Sequence, residues 1–147
     1  MRVIKAPLRV SEQGFTLLEI MVVVVIIGLL VAAVAPNFIG QIDRAEINRA
    51  RTDIRSIETS LNLYRLDNFR YPSTSEGLEA LVTNPGEATA PNWKQYLPRV
   101  PVDPWERPYQ YASPGQRGGG DFDVFTFGAD GQEGGEDTNA DIGNWDL

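Results

Sequence analysis

The stretch Gly14-Phe15-Thr16-Leu17-Leu18-Glu19 stands directly before an almost unbroken apolar run from Ile20 to Ala35. Phe15 to Ala35 is about 21 residues, or about 30 Å of helix, the thickness of a membrane's hydrocarbon layer. A carboxylate inside such a helix costs about 2.5–3.5 kcal/mol and needs a partner. Cleavage between Gly14 and Phe15 would create an amine one helical turn from Glu19. The stretch therefore predicts a membrane helix whose Glu19 pairs with a new N-terminus, within one subunit or between two.

Residues 1–13 form a short basic leader, in which Arg2, Lys5 and Arg9 outnumber the single acid Glu12. This excess of positive charge is typical of the cytoplasmic side of a membrane segment. An ordinary secretory signal is cut after its apolar region, whereas here the glycine precedes that region. The organisation resembles the type IV pilin-like signal, which implies cleavage after Gly14 by a prepilin peptidase and methylation of the Phe15 amine. An uncleaved signal anchor with an incidental acid is the alternative.

Composition limits the chemistry that this chain can perform. The 147 residues include no cysteine and no histidine, which excludes disulfides, thiol nucleophiles, imidazole bases and the usual zinc ligands. The formal charge is −7, and removal of the leader makes the remaining chain more acidic still, so nucleic acid is not an expected partner. After the leader and the long helix, roughly 80 residues remain, enough for one small domain.

Gly28 and Pro36 weaken the apolar helix locally. Pro36 cannot donate a hydrogen bond to the carbonyl of Ala32, and its ring crowds that turn. We therefore expect a kink or a melted stretch between Gly28 and Pro36. A proline that merely marks the end of the membrane segment is the alternative.

The sequence beyond Pro36 predicts an amphipathic continuation of the same helix. Apolar residues recur at spacings of three and four, which gives a helix one buried face: Ile47, Ala50, Ile54, Ile57, Leu61 and Tyr64. We expect this apolar stripe to pack on the domain formed by the rest of the chain. A coiled coil is the alternative for a stripe of this spacing.

The remaining sequence predicts short elements and loops. Pro72 ends the long helix, and Ser73 to Glu76 has the spacing of a capping box before a short second helix that carries Leu78, Leu81 and Val82. Asn84 to Pro101 is proline-rich and predicts an irregular loop. Two antiparallel strands are expected at Pro108–Tyr111 and Phe122–Phe127. Imperfect alternation in the second strand leaves its buried face open.

Carboxylates and glycines alternate near the C-terminus. The acidic residues are Asp130, Glu133, Glu136, Asp137 and Asp141, and Asn139 adds an amide side chain. The glycines are Gly131, Gly134, Gly135 and Gly143. So many acids repel one another unless they are solvated or surround a cation. Calcium takes six to eight oxygen ligands, including carbonyls that glycines help to orient. From composition alone, a calcium loop and a solvated acidic tail remain equally open.

Family-specific motifs cover almost the whole chain. They are Arg51–Glu58, Leu63–Asn68, Arg70-Tyr-Pro72, Glu76–Val82, Asp103-Pro-Trp105, Pro108–Tyr111, Ser113-Pro-Gly115, Gly128–Gly131 and Ala140–Trp145. Together they resemble the major pseudopilins of bacterial type II secretion systems. The resemblance implies an α+β, type IV pilin-like fold in which a long N-terminal helix packs on a small antiparallel sheet with a C-terminal metal-binding loop.

The resemblance also implies a division of the chain. Residues 1–14 are a cleaved leader and 15–36 a transmembrane and filament-core helix. Residues 37–147 are a periplasmic domain with a helical part at 37–67 and a globular part at 68–147. The mature protein would be a structural subunit, not an enzyme, held in the inner membrane and polymerised with itself into a periplasmic pseudopilus that exports folded proteins. Its expected partners are the prepilin peptidase, minor pseudopilins and the inner-membrane assembly platform with its ATPase.

By the same resemblance the acidic loop binds calcium. Asp130 and Asp137 would supply carboxylates, and the backbone carbonyls of Phe127, Gly135 and Thr138 would complete the shell. From the residues themselves, Asp141 is expected to cap the following turn and Trp145 to pack the loop down. Glu133 is expected to point into solvent.

Two departures from the family pattern affect turns. Asn68-Phe69 stands in place of the usual Asn-Gly at the end of the long helix, so Asn68 is expected to take the left-handed cap itself. Glu106-Arg107 stands in place of Gly-Asn after the Asp-Pro-Trp motif, which leaves the geometry of that turn open.

Two rival functions share parts of this pattern. A type IV pilus pilin or a minor pseudopilin has the same N-terminal signal, although pilins commonly close a C-terminal loop with a cysteine pair that this chain lacks. A membrane-anchored hydrolase would use two of Asp103, Asp121 and Asp123 as its acid and base.

Overall fold

The computed structural model describes the chain from Gly14 to Leu147, except for the side chains of residues 34–40. The predicted leader at 1–13 lies outside the described residues. Helix α1 spans Leu17–Asn68, followed by strands β1 (Gln110–Ala112), β2 (Asp123–Thr126) and β3 (Ile142–Gly143). Short 3-10 helices lie at Leu78–Leu81, Asp137–Asn139 and Asn144–Asp146. This is the expected α+β, pilin-like arrangement of a long N-terminal helix and a small antiparallel sheet.

The chain divides into two compact units between Ile39 and Gly40. In the first unit, the side chains from Phe15 to Ala33 are all exposed. Within the described part of the chain, no helix meets the length and apolarity required for a membrane span. Helix α1 is continuous through Gly28 and Pro36, so the melted stretch expected there is not found. Proline removes a single hydrogen bond, and the bonds on either side maintain the helix.

The core of the second unit is built on the predicted stripe of α1. Ala50, Ile54, Ile57, Leu61 and Tyr64 are completely buried, and Ile47 packs against them from the edge. Their neighbours in the same cluster come from the rest of this unit: Leu78, Leu81, Tyr109, Phe122, Val124 and Ile142. The stripe is therefore the core of a domain and not a coiled-coil seam, and each large apolar side chain contributes about 1.5–3 kcal/mol by its burial.

The end of α1 differs from the expectation. Phe69, not Asn68, adopts the left-handed conformation, with φ of 60°, and its amide donates to the Arg65 carbonyl at 2.7 Å. Asn68 remains helical because its buried side chain is used elsewhere: Nδ2 donates to the Tyr64 carbonyl at 3.1 Å and to the Tyr96 hydroxyl at 3.0 Å. Asn68 thus connects the helix end to the following loop, and Phe69 is the residue that adopts the left-handed conformation of the cap.

The predicted capping box forms, but one turn before the helix. Ser73 N donates to Glu76 Oε2 at 2.7 Å, and Glu76 N donates to Ser73 Oγ at 3.3 Å. These reciprocal bonds close the turn that precedes Gly77, and the helix itself is the single 3-10 turn Leu78–Leu81. Leu78 and Leu81 point into the core as expected.

The two predicted strands pair antiparallel as β1 and β2, with Tyr111 opposite Val124. A third strand, β3, was not predicted; it continues the sheet on the other side of β2, with Thr126 opposite Ile142. Strand β2 is therefore central and buried on both faces. Val124 lies in the main core, whereas Phe125 packs on Trp145 with ring centroids 5.5 Å apart, which explains the imperfect alternation of the sequence.

Candidate functional site

The acidic loop, residues 127–141, leaves β2 and returns to β3. Glycines at its corners, Gly128, Gly131, Gly134 and Gly135, all have positive φ. The loop is closed by backbone bonds from Ala129 N to the Thr138 carbonyl at 2.8 Å and from Asp141 N to the Gly134 carbonyl at 3.1 Å. It has a defined shape, unlike a solvated tail.

Arg117, from the connection between β1 and β2, neutralises two of the loop's acids. Its Nη1 lies 2.6 Å from Asp141 Oδ2 and its Nη2 lies 2.6 Å from Glu133 Oε1. Asp141 Oδ1 accepts from Gly134 N at 3.1 Å, so Asp141 closes the preceding part of the loop and does not cap the following turn as expected. Glu133 is 76% exposed, yet it is ion-paired, so its expected position in solvent is only partly right.

Arg107 also contacts the loop. Its Nη2 donates to the Gly128 carbonyl, and its guanidinium lies against Gly131, where any side chain would overlap it. The Arg107 Nε lies 3.6 Å from the buried carboxylate of Asp103. Sequence reasoning missed the roles of both arginines. The available signal was that Arg117 is the one basic residue in the glycine-rich segment 115–120.

The predicted calcium ligands Asp130 and Asp137 are exposed carboxylates on this loop. Asp130 Oδ1 accepts from Gln132 N at 3.0 Å, and Asp137 begins the 3-10 turn Asp137–Asn139 with φ of 54°. In the part of the chain that the structure describes, neither forms an ion pair with lysine or arginine. The same part contains no group of three or more acidic side chains placed to hold a metal.

The donor chemistry of the loop nevertheless fits a hard cation. Two carboxylates without a cationic partner lie on turns shaped by glycines, and the remaining predicted donors, from Phe127, Gly135 and Thr138, are carbonyl oxygens. A side chain on Gly135 would overlap the backbone of Asn139, and a Cβ on Gly128 would lie 2.7 Å from the Ala140 carbonyl. The backbone around the predicted donors is thus packed too closely for any residue but glycine.

At the other end of the chain, Thr16 caps the first turn of α1. Its Oγ1 accepts from Glu19 N at 3.2 Å, the bond that an N-cap threonine makes. Glu19 lies in the first turn of the helix, and Phe15 is 78% exposed. The structure therefore places the predicted cleavage site and the predicted pairing acid at the same accessible helix terminus.

Comparison with known proteins matches both regions. The model of the prokaryotic N-terminal methylation motif covers residues 9–35, and that of type II secretion system protein G covers residues 37–145. The type II secretion system core protein G of Pseudomonas aeruginosa is 53% identical over 141 residues, which is 94% of this chain and 98% of that protein. The Vibrio cholerae protein of the same name is 54% identical, over 93% of this chain and 94% of that protein.

The chain belongs to the type II secretion system protein G family. A solved relative agrees: the crystal structure of the major pseudopilin from the type 2 secretion system of enterohaemorrhagic Escherichia coli aligns with a TM-score of 0.64 and 43% identity, over 76% of this chain and 96% of that one. The match at 37–145 distinguishes this family from other proteins that share only the N-terminal motif. The chain is thus a type II secretion pseudopilin, and the protein G family is one of structural subunits and not of enzymes.

The acids considered for a hydrolase have structural roles in this member of the protein G family. Asp103 is buried and accepts from Trp105 N, Arg107 N and Thr126 Oγ1 at 3.0, 2.7 and 2.5 Å. Asp123 is buried and accepts from the three consecutive amides of residues 116–118. Asp121 pairs with Arg65 at 2.9 Å on the surface. Each of the two buried carboxylates anchors a turn, which accounts for its burial without any catalytic role.

Proposed function

We propose that this protein polymerises as the major subunit of a periplasmic pseudopilus and thereby drives the export of folded proteins through the outer membrane. The observation that carries the proposal is the contrast between its two units. Residues 40–147 bury their own core, whereas residues 15–33 expose a surface that is apolar except for Thr16 and Glu19. Such a surface must be covered by lipid or by copies of itself.

The chain begins as a precursor in the inner membrane, with one span at 15–36 and its second unit in the periplasm. Apolar residues over this length are enough to cross a bilayer, and the basic leader faces the cytoplasm. A prepilin peptidase cuts between Gly14 and Phe15 and methylates the Phe15 amine, a step supported by the match of residues 9–35 to the N-terminal methylation motif.

Assembly then uses Glu19. Its carboxylate pairs with the Phe15 amine of a neighbouring subunit, which offsets the cost of holding the acid among apolar helices. The Thr16 cap supports this role because it fixes the turn that carries Glu19. The inner-membrane assembly platform and its ATPase extract the subunits, and minor pseudopilins complete the filament.

We further propose that the acidic loop binds one calcium ion through Asp130, Asp137 and the carbonyls of Phe127, Gly135 and Thr138. Among the described residues, three carboxylates of the loop have no arginine partner: Asp130, Glu136 and Asp137. The ion neutralises Asp130 and Asp137 and holds the loop against the sheet. The fit of the donor set supports this site.

The variant Glu19→Leu tests the assembly role in cells. Removal of the acid also removes its desolvation cost, so the precursor should be inserted and cleaved as wild type, and mass spectrometry should find methylated Phe15 at the N-terminus. Pseudopili and secretion should be lost. Glu19→Asp, which keeps the charge, is the matched control and should retain partial assembly. Normal secretion by Glu19→Leu would refute the pairing role.

A further inference from the structure

Two arginines from the body of the second unit, Arg107 and Arg117, hold the acidic loop and are called the arginine clamps below. They approach from different places in the chain. Arg107 follows the turn anchored by Asp103, and Arg117 lies in the connection between β1 and β2.

Arg117 is fixed at both its backbone and its guanidinium. Its amide donates to the buried carboxylate of Asp123 at 2.6 Å. Its guanidinium stacks over Phe125 at 4.5 Å and lies within 5.8 Å of the ring centres of Phe127 and Trp145. An arginine with a fixed fork can bridge two carboxylates, and the stacked rings hold the guanidinium in place. Arg117 is therefore far more rigid than a surface arginine.

Each clamp acts at the base of a turn that carries one predicted ligand. Asp141 and Gly134 bond each other in both directions, which closes segment 134–141 with Asp137 inside it. Arg117 holds Asp141 at this closure and Glu133 just before it. Arg107 contacts Gly128 and Gly131, the residues on either side of the turn with Asp130.

We propose that the arginine clamps fold the acidic loop before any cation arrives and leave Asp130 and Asp137 as its ion-binding carboxylates. This inference rests on the calcium site proposed above. By pairing with Glu133 and Asp141, Arg117 removes two of the three other loop acids that would compete for the ion and leaves only Glu136. Arg117 is thus a positioning residue for calcium, and the ion enters a site whose backbone is already ordered.

Two physical effects predict opposite results when Arg117 is removed. Electrostatics alone predicts tighter calcium binding, because one positive charge leaves and two carboxylates are freed. Preorganisation predicts weaker binding, because the ion must then order segment 134–141 itself. The cost of ordering several backbone residues exceeds the gain from exposed charges. We therefore expect the calcium dissociation constant of Arg117→Gln to rise at least tenfold.

The experiment uses the full chain in detergent micelles, with Arg51→Gln as a control that removes an exposed helical arginine. Hydrogen exchange is measured first in chelator. The amides of Gly134 and Asp141 should be protected in wild type and in the control and should exchange at least tenfold faster in Arg117→Gln. Unchanged exchange in Arg117→Gln would overturn the clamp.

Calorimetric titration with calcium chloride follows on the same proteins. Arg117→Gln should bind at least tenfold more weakly than wild type, and Arg117→Lys should be intermediate because an ammonium cannot bridge two carboxylates in a fixed fork. Equal or tighter binding by Arg117→Gln would contradict the positioning role. Glu133→Gln removes one exposed partner without threatening the fold and should give a smaller loss in the same direction.

The two measurements separate this inference from the calcium proposal on which it rests. If wild type binds no calcium, the calcium site and the positioning role are both wrong. Exchange in chelator needs no cation, so it decides by itself whether Arg117 orders the loop.

Discussion

Two sets of carboxylates in this protein differ in where their partners lie. Asp103, Asp123 and Glu76 find hydrogen-bond donors inside the fold: backbone amides for the first two and Arg70 for the third. Asp130 and Asp137 are exposed, and the described residues offer them no cationic side chain. The first group stabilises the domain without any ion. On the calcium site proposed above, the second group stabilises it only when an ion is bound.

The largest expected effect is at Asp123. Asp123→Ala leaves three amides, those of residues 116–118, without their buried acceptor, and each unsatisfied donor costs about 1–3 kcal/mol. We expect the free energy of unfolding to fall by about 3–5 kcal/mol in chelator, and by somewhat more in calcium because Asp123 also fixes the Arg117 amide. Urea denaturation in both buffers measures it. A loss confined to the calcium buffer would place Asp123 in the second group.

The next effect is the pH dependence caused by Glu76. Two hydrogen bonds from Arg70, at 2.7 and 2.9 Å, lower the pKa of Glu76 to about 2 from its usual 4.5. A carboxyl with a depressed pKa stabilises the fold above its unfolded pKa, and this stability disappears as the pH falls through its folded pKa. We expect about 2–3 kcal/mol to be lost between pH 4.5 and pH 2.

Glu76→Gln should remove this part of the acid sensitivity while lowering stability at neutral pH. Unfolding free energies of the two proteins, measured from pH 7 downward, should therefore converge below pH 3. Parallel curves would show that Arg70 does not depress the pKa of Glu76.

A smaller effect of opposite sign is expected beside Asp103. The bonds to this buried acid hold Glu106 at φ of 65°, a conformation that costs a non-glycine residue about 1–2 kcal/mol. Glu106→Gly should raise the unfolding free energy by about 1 kcal/mol. Glu87→Gly, at an exposed loop position without positive φ, is the matched control and should be neutral or slightly destabilising. If Glu106→Gly does not raise the unfolding free energy, the positive φ at Glu106 is not a source of strain.

The spacing of apolar residues in the sequence predicted helix α1 and strands β1 and β2. The stripe from Ile47 to Tyr64 follows helical spacing over several turns, so its burial could be predicted from the sequence alone. Strands β1 and β2 contain enough aromatic and β-branched residues to be placed within two residues of their actual ends. The motif around Gly14 and Glu19 is contiguous in the sequence, so it could likewise be recognised without the structure.

Long-range contacts were beyond such reasoning. Strand β3 has two residues and exists only because it pairs with β2, so no local pattern marks it. The position of the cap at Phe69 depends on Tyr96, whose hydroxyl accepts a hydrogen bond from the Asn68 side chain and lies in a loop distant in sequence. Arg117 meets Glu133 and Asp141 across the sheet edge. The acidic composition of the loop was visible, but its division into paired and unpaired acids required the structure.

The melting temperature of fragment 40–147 in calcium and in chelator tests the calcium proposal most directly. An ion bound only by the folded state stabilises it by about 2.7 kcal/mol at a hundredfold excess over its dissociation constant. We predict a higher melting temperature in calcium for wild type and for Glu133→Ala, whose acid has an arginine partner instead. Asp130→Ala and Asp137→Ala should melt at the same temperature in both buffers. Equal melting of wild type in calcium and in chelator would contradict the account and leave the loop as an acidic segment held by its arginines alone.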